Sequence, residues 1–115
     1  MTNIEINPPH KPDGWLQAVL DYDIFDGDFG DGSERQLLNV VRIAKRGGVC
    51  RECEQAITKG MLVRVIKMAD SEGFYGGRCC EPCCDAQATM TLDPEDCGDA
   101  VTARHALRRD LFGTP

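Results

Sequence analysis

The 115-residue chain is long enough for one small domain with short appended segments. Aromatic residues make up only 6% of it, so the core is small and a metal staple is expected to help hold it. A net charge of −6 argues against a broad basic stripe for a phosphate backbone, and no run of about 18 apolar residues is present to span a membrane.

Residues 1–12 carry three of the six prolines and no apolar periodicity, which predicts a flexible arm. The arm has no basic stretch leading into an apolar one, so a secretory signal is not expected and a cytoplasmic location is. Residues 13–39 form the next segment. Asp13 is a candidate cap for a short helix with Trp15, Leu16, Val19 and Leu20 on one face. The stretch DYDIFDGDFGDGS, residues 21–33, then holds five aspartates and three glycines, the composition of an acidic loop. Its oxygens do not follow the order of an EF-hand calcium loop. Ser33 and Gln36 have the spacing of a capping box, which predicts a turn of helix there.

Residues 40–90 read as a small α+β module. Val40 to Ala44 are strand-like, and Arg46-Gly47-Gly48 turns the chain into Cys50. Residues 61–68 alternate, with Leu62, Val63 and Val65 facing a core and Arg64 and Lys67 facing water. Ser71-Glu72-Gly73 predicts a turn into a second strand at Phe74-Tyr75, completing a hairpin. Glu81 to Met90 is expected to be helical, with Pro82 tolerated in its first turn. In residues 91–115, Asp93-Pro94-Glu95-Asp96 reads as a helix start, with Asp93 as the cap. The final helix is expected to present Ala100, Ala103, Leu107 and Leu111 on one face, either docked on the module or paired with its copy in a homodimer. Arg104, His105, Arg108 and Arg109 are expected elsewhere on it.

Charge is divided along the chain: −6 over residues 1–39, +2 over 40–88 and −2 over 89–115. Within this frame seven cysteines stand out. In a reducing compartment, clustered pairs point to metal before disulfides, and an odd number agrees. Cys50-x2-Cys53 and Cys80-x2-Cys83 flank the predicted hairpin. Two residues between thiols let both sulfurs reach one ion, and the second pair closes a tetrahedron, so one structural Zn2+ is expected. An iron–sulfur cluster or a redox dithiol is the alternative. Cys79 and Cys84 offer a different, more widely spaced pair; otherwise they are small buried hydrophobes. Ile57 is expected to pack under the first pair and Gly60 to make the tight turn into the next strand. Four thiolates would fill the coordination sphere, and His10 and His105 belong to no catalytic set, so an enzyme is not expected.

The order of strand, Cys-x2-Cys knuckle, hairpin and helix over residues 40–90 resembles the treble-clef class of zinc fingers. In that class the second pair sits at a helix N-terminus. Residues 22–86 also resemble a group of small, mostly uncharacterised phage and prophage proteins. The matching residues are the IFDGDFGD stretch from Ile24 to Asp31, then Cys50, Cys53, Cys80, Cys83 and Cys84. The C-x2-C-C match favours Cys80 and Cys83 as ligands. This resemblance implies a phage or prophage origin and a place in the bacterial host cytoplasm, but no established activity.

Two functions follow as expectations. One is an accessory protein that binds and modulates, by inhibition, a host or defence protein. Its surface would be Asp21, Asp23, Phe25, Asp26, Asp28, Phe29 and Asp31, because folding does not call for such crowded like charges. The alternative is a nucleic-acid-binding or transcription-regulating finger that uses Arg42, Lys45, Arg46, Arg51, Arg64 and Lys67.

Overall fold

The computed structural model describes residues 3–24 and 35–111, with the side chains of the last helix described as far as Arg108. The elements run α1 (Trp15–Asp21), β1 (Arg35–Ile43), β2 (Gly48–Val49), β3 (Ala56–Ile57), β4 (Leu62–Asp70), β5 (Gly73–Cys79), α2 (Glu81–Leu92) and α3 (Asp99–Leu111). They make a mixed α+β fold with an antiparallel sheet in the order β1-β4-β5 and a separate two-stranded piece, β2-β3. No helix among the described residues is long and apolar enough to cross a membrane.

The expected hairpin is present and longer than the alternation indicated. Leu62 pairs with Ile43 on one side, and Asp70 with Gly73 across the turn. Strand β1 also starts earlier than Val40. Gln36 lies opposite Met68 on β4, so the turn of helix expected at Ser33–Gln36 is replaced by strand from Arg35 onward. Pairing with a nine-residue neighbour outweighs a local capping signal.

As the central strand, β4 is buried on both faces, and this overturns the expectation that Arg64 faces water. Arg64 is 1% exposed. Its Nε donates to Asn39 Oδ1 at 2.8 Å, Nη1 to Gln87 Oε1 at 3.1 Å and Nη2 to the Leu20 carbonyl at 3.3 Å. The guanidinium thus joins β1, α2 and the end of α1. It offers five N–H donors spread over a rigid planar fork, which lets it meet three acceptors on separate elements. Burial pulls its pKa down.

Residues 3–12 are held rather than loose, contrary to the flexible arm expected from their prolines. Asn3 bridges to Arg42, and the Ile4 N–H donates to the Val41 carbonyl at 2.7 Å, so the arm extends the sheet beyond β1. Asn7 Oδ1 accepts from the Leu16 N–H at 2.7 Å. Lys11 reaches Glu81 at 2.8 Å and Asp85 at 2.9 Å, and its ammonium lies 5.2 Å from the centre of the Trp15 ring. Trp15 Nε1 also donates to Asp85. Trp15, Leu16, Ala18 and Val19 are buried, so α1 packs on α2 as an amphipathic turn. Asp13 does not cap it: Gly14, at φ +82°, occupies that position without a side-chain bond.

The last helix begins later than Asp93. Residues 94–98 form turns in which Asp93 accepts from Glu95, while Asp96 accepts from Gly98 and Ala100. Cys97 and Gly98 have positive φ, which breaks any helix begun at Pro94, and Asp96 becomes the effective cap of α3. The buried stripe of α3 is also shifted. Val101 is buried and Leu107 half-buried, whereas Ala103 is exposed; Leu111 lies beyond the described side chains.

The Arg64→Ala variant tests the central pin. It leaves the Asn39 and Gln87 acceptors without their Arg64 donor in a buried site, while the Leu20 carbonyl keeps its bond from Asn39 Nδ2 at 2.8 Å, and it opens a cavity, so a stability loss of at least about 3 kcal/mol is expected. Denaturant unfolding monitored by Trp15 fluorescence measures it.

Candidate metal centre

The first cysteine pair is carried by the turn between β2 and β3. The Cys50 N–H donates to the Gln55 carbonyl at 2.9 Å, and the Cys50 carbonyl accepts from the Glu54 N–H at 3.0 Å. Glu54 has φ +62°, the left-handed step that lets so short a turn close. Ile57 is buried in the core cluster, and Gly60, at φ +93°, turns the chain into β4; both match the expectation. The Arg51 N–H bonds the Arg78 carbonyl at 2.9 Å and ties the turn to β5. The second pair opens α2. Cys80 is its N-cap residue in extended geometry, and Cys83 follows in the first turn, where helix N–H groups favour negative charge.

These elements bring Cys50, Cys53, Cys80 and Cys83 together, all buried, with every sulfur within 4.8 Å of the others. Cys50 Sγ lies 3.7 Å from Cys83 Sγ, and Cys53 Sγ lies 3.5 Å from Cys80 Sγ. Four thiolates at roughly 2.3 Å from one ion would stand roughly 3.8 Å apart, so the donor set fits a tetrahedral metal. The Glu52 and Cys80 N–H groups both donate to Cys50 Sγ at 3.3 Å, as neutral donors that stabilise a thiolate. Hydrogen bonds from Cys80 and Cys83 hold the Cys50 pKa well below the thiol range. The same contacts with Cys50 push Cys80 up to about 11 and Cys83 upward as well. Sulfurs this close cannot all be anionic unless a cation sits among them.

Cys79 and Cys84 are buried but outside the cluster. Gln87 Nε2 donates to Cys79 Sγ at 3.6 Å, and burial pushes the Cys79 thiol up to about 12. Burial likewise raises Cys84 well above its ordinary value. Both are neutral core thiols, and the spacing of two residues identifies the metal-ligand candidates. Cys97 is exposed.

Sequence reasoning missed the contribution of α3. Arg104 Nη2 donates to Cys53 Sγ at 3.3 Å and lies 3.8 Å from Cys80 Sγ. His105 Nε2 lies 3.0 Å from Glu52, and Arg108 pairs with Glu54 at 3.1 Å. Positions 104, 105 and 108 share one side of a helix, and glutamates flank Cys53, so complementary charge was the available signal. Three cationic or ionisable side chains therefore cover a knuckle whose metal-bound sulfurs would be electron-rich.

Of the acidic surface, Asp21 and Asp23 are exposed on the described chain, with Gln17 donating to Asp21 at 2.8 Å. Phe25, Asp26, Asp28, Phe29 and Asp31 lie outside the described residues. Of the basic residues expected of a finger, Arg64 is buried and Arg51 pairs with Glu52 at 2.9 Å, whereas Arg42, Lys45, Arg46 and Lys67 line one groove.

Replacing any of Cys50, Cys53, Cys80 or Cys83 with Ser should abolish metal binding and cooperative folding, because metal affinity and folding are one equilibrium in such modules. Cys97→Ser should leave both intact; elemental analysis and thermal melts distinguish the two classes. Arg104→Gln should keep the fold but weaken metal affinity about tenfold, as removing a partner from a ligand sulfur does. Competition against a chromogenic chelator reads that change. Compared with known proteins, the chain matches no family model, no curated protein and no solved structure, so its own donor geometry carries the chemical assignment.

Proposed function

We propose that the chain is a non-enzymatic, zinc-stapled accessory protein of phage type that binds and inhibits a host or defence protein. The observation that carries the metal half of this reading is the buried cluster of four sulfurs. An all-thiolate tetrahedral set suits Zn2+, which has no redox chemistry to disturb and no open position left for a substrate. The sequence of knuckle, hairpin and helix start supports a treble-clef reading of the module. The zinc is structural, and the protein acts through its surface.

The partner half rests on the acidic, aromatic stretch from Asp21 to Asp31. Asp21, Asp23, Asp26, Asp28 and Asp31 would steer association with a basic surface, while Phe25 and Phe29 would anchor it. Such a surface on a host protein is one that normally holds nucleic acid, so occupying it inhibits.

Elemental analysis should find one zinc per chain. Affinity capture from host lysate should retain a basic protein whose association weakens as salt rises. Replacing Asp23, Asp26 and Asp28 together with Asn should slow that association while zinc content and Tm hold or rise. A triple variant that binds its partner at unchanged rate and affinity would remove this surface from consideration.

A further inference from the structure

Val63 and Val65 flank Arg64 on β4. Because Arg64 reaches α2, strand alternation turns both valines toward the opposite face of the sheet. There they floor an open groove of about 550 Å³. Five cationic residues line it, Arg42, Lys45, Arg46, Lys67 and Arg78, and among the described residues no carboxylate does. Arg78 donates to the carbonyls of Arg46 and Gly47 at 3.1 and 3.0 Å, which fixes the 45–47 turn at the groove's edge. Lys45, Arg46 and Lys67 are exposed and make no ion pair among the described residues.

A second hollow continues from the first, sharing Lys67 and Gly77 and reaching Phe74 and Tyr75. Phe74 is 83% exposed, the most exposed large apolar side chain described. Between Phe74 and Arg78 stand Gly76 and Gly77. A Cβ at Gly76 would collide with the Ile66 carbonyl oxygen, so a side chain is excluded there and that stretch of strand stays bare.

We propose that this face binds single-stranded nucleic acid, with phosphates along Lys45, Arg46, Lys67 and Arg78 and a base stacked on Phe74. The argument is one of complementarity. On a chain of net charge −6, five cations gathered with no lining carboxylate among the described residues form a local field that a polyanion satisfies, with release of its counterions. An exposed ring at the end of a bare, cation-lined strand is the arrangement that stacks an unpaired base. A duplex would offer the cations its phosphates but keep its bases from Phe74. An acidic peptide would likewise leave the ring without a flat partner. This surface is opposite in charge to the Asp21–Asp31 stretch and shares no residue with it, so either reading stands or falls without the other.

Fluorescence anisotropy with labelled single-stranded DNA and RNA, the matching duplex and a polyglutamate peptide tests the proposal on the intact, zinc-loaded chain. Single strands should bind at low salt and tighter than the duplex or the peptide. The combined variant Lys45→Glu, Arg46→Glu and Lys67→Glu should weaken binding by at least about tenfold and lower the salt slope by about 2, at roughly 0.7 for each phosphate left without its cation. Phe74→Ala should weaken single-strand binding several-fold with the slope unchanged, since stacking is not a charge effect. All four positions are exposed, so zinc content and Tm should hold in both variants and separate lost binding from lost fold. Absence of single-strand binding, indifference to either variant, or tighter binding of duplex or polyglutamate would each overturn the proposal.

Discussion

The four sulfurs of Cys50, Cys53, Cys80 and Cys83 set the terms for the rest of the molecule. Held within 4.8 Å of one another in a buried site, they repel as thiolates and compete for protons as thiols. A cation at their centre would remove both problems, and in doing so it would join two distant pieces of chain, the β2–β3 turn and the start of α2. The hairpin β4–β5 runs between those pieces, so one ion held by the four sulfurs would close the loop that contains it. A core built with so few aromatic side chains gains most from a link of that kind.

Compensation of charge spreads outward from the cluster. Neutral N–H donors from Glu52 and Cys80 reach Cys50, and Arg104 on α3 reaches Cys53. Beyond these groups, His105 and Arg108 meet Glu52 and Glu54 on the same turn. α3 is therefore attached less by its apolar stripe, where Val101 alone is buried among the described side chains, than by cations laid over an acidic knuckle. This explains how a helix with so slight an apolar face can be docked at all.

A second polar centre, around Arg64, serves the middle of α2. Arg64 gathers Asn39, Gln87 and the Leu20 carbonyl, while Lys11 and Trp15 gather on Asp85. The N-terminal residues are thereby drawn onto the sheet and α2 together. With the helices covering one face of the sheet, the other is left to Arg42, Lys45, Arg46, Lys67 and Arg78. Charge on this protein is segregated by face as well as by segment, so a net value of −6 describes no single surface.

Much of this was legible in the residues alone. The spacing of the two cysteine pairs, the strand at residues 61–68, the start of α2 at Glu81-Pro82 and the roles of Ile57 and Gly60 are local signals, each set by the reach of a few bonds. Candidate metal ligands are legible because coordination demands a short, fixed spacing within each pair. What local signals could not decide was which side of β4 meets a helix, so Arg64 read as a solvent-facing residue until three distant acceptors surrounded it. Nor could they show that Pro-rich residues 3–12 find Val41, Glu81 and Asp85, or that Cys97 and Gly98 delay α3. Arg104 finds its partner sulfur 51 residues away, and Lys11 finds Asp85 at a separation of 74. Periodicity and propensity act over a turn or a strand, whereas ion pairs and buried hydrogen bonds form between whichever groups the finished fold brings within about 3 Å.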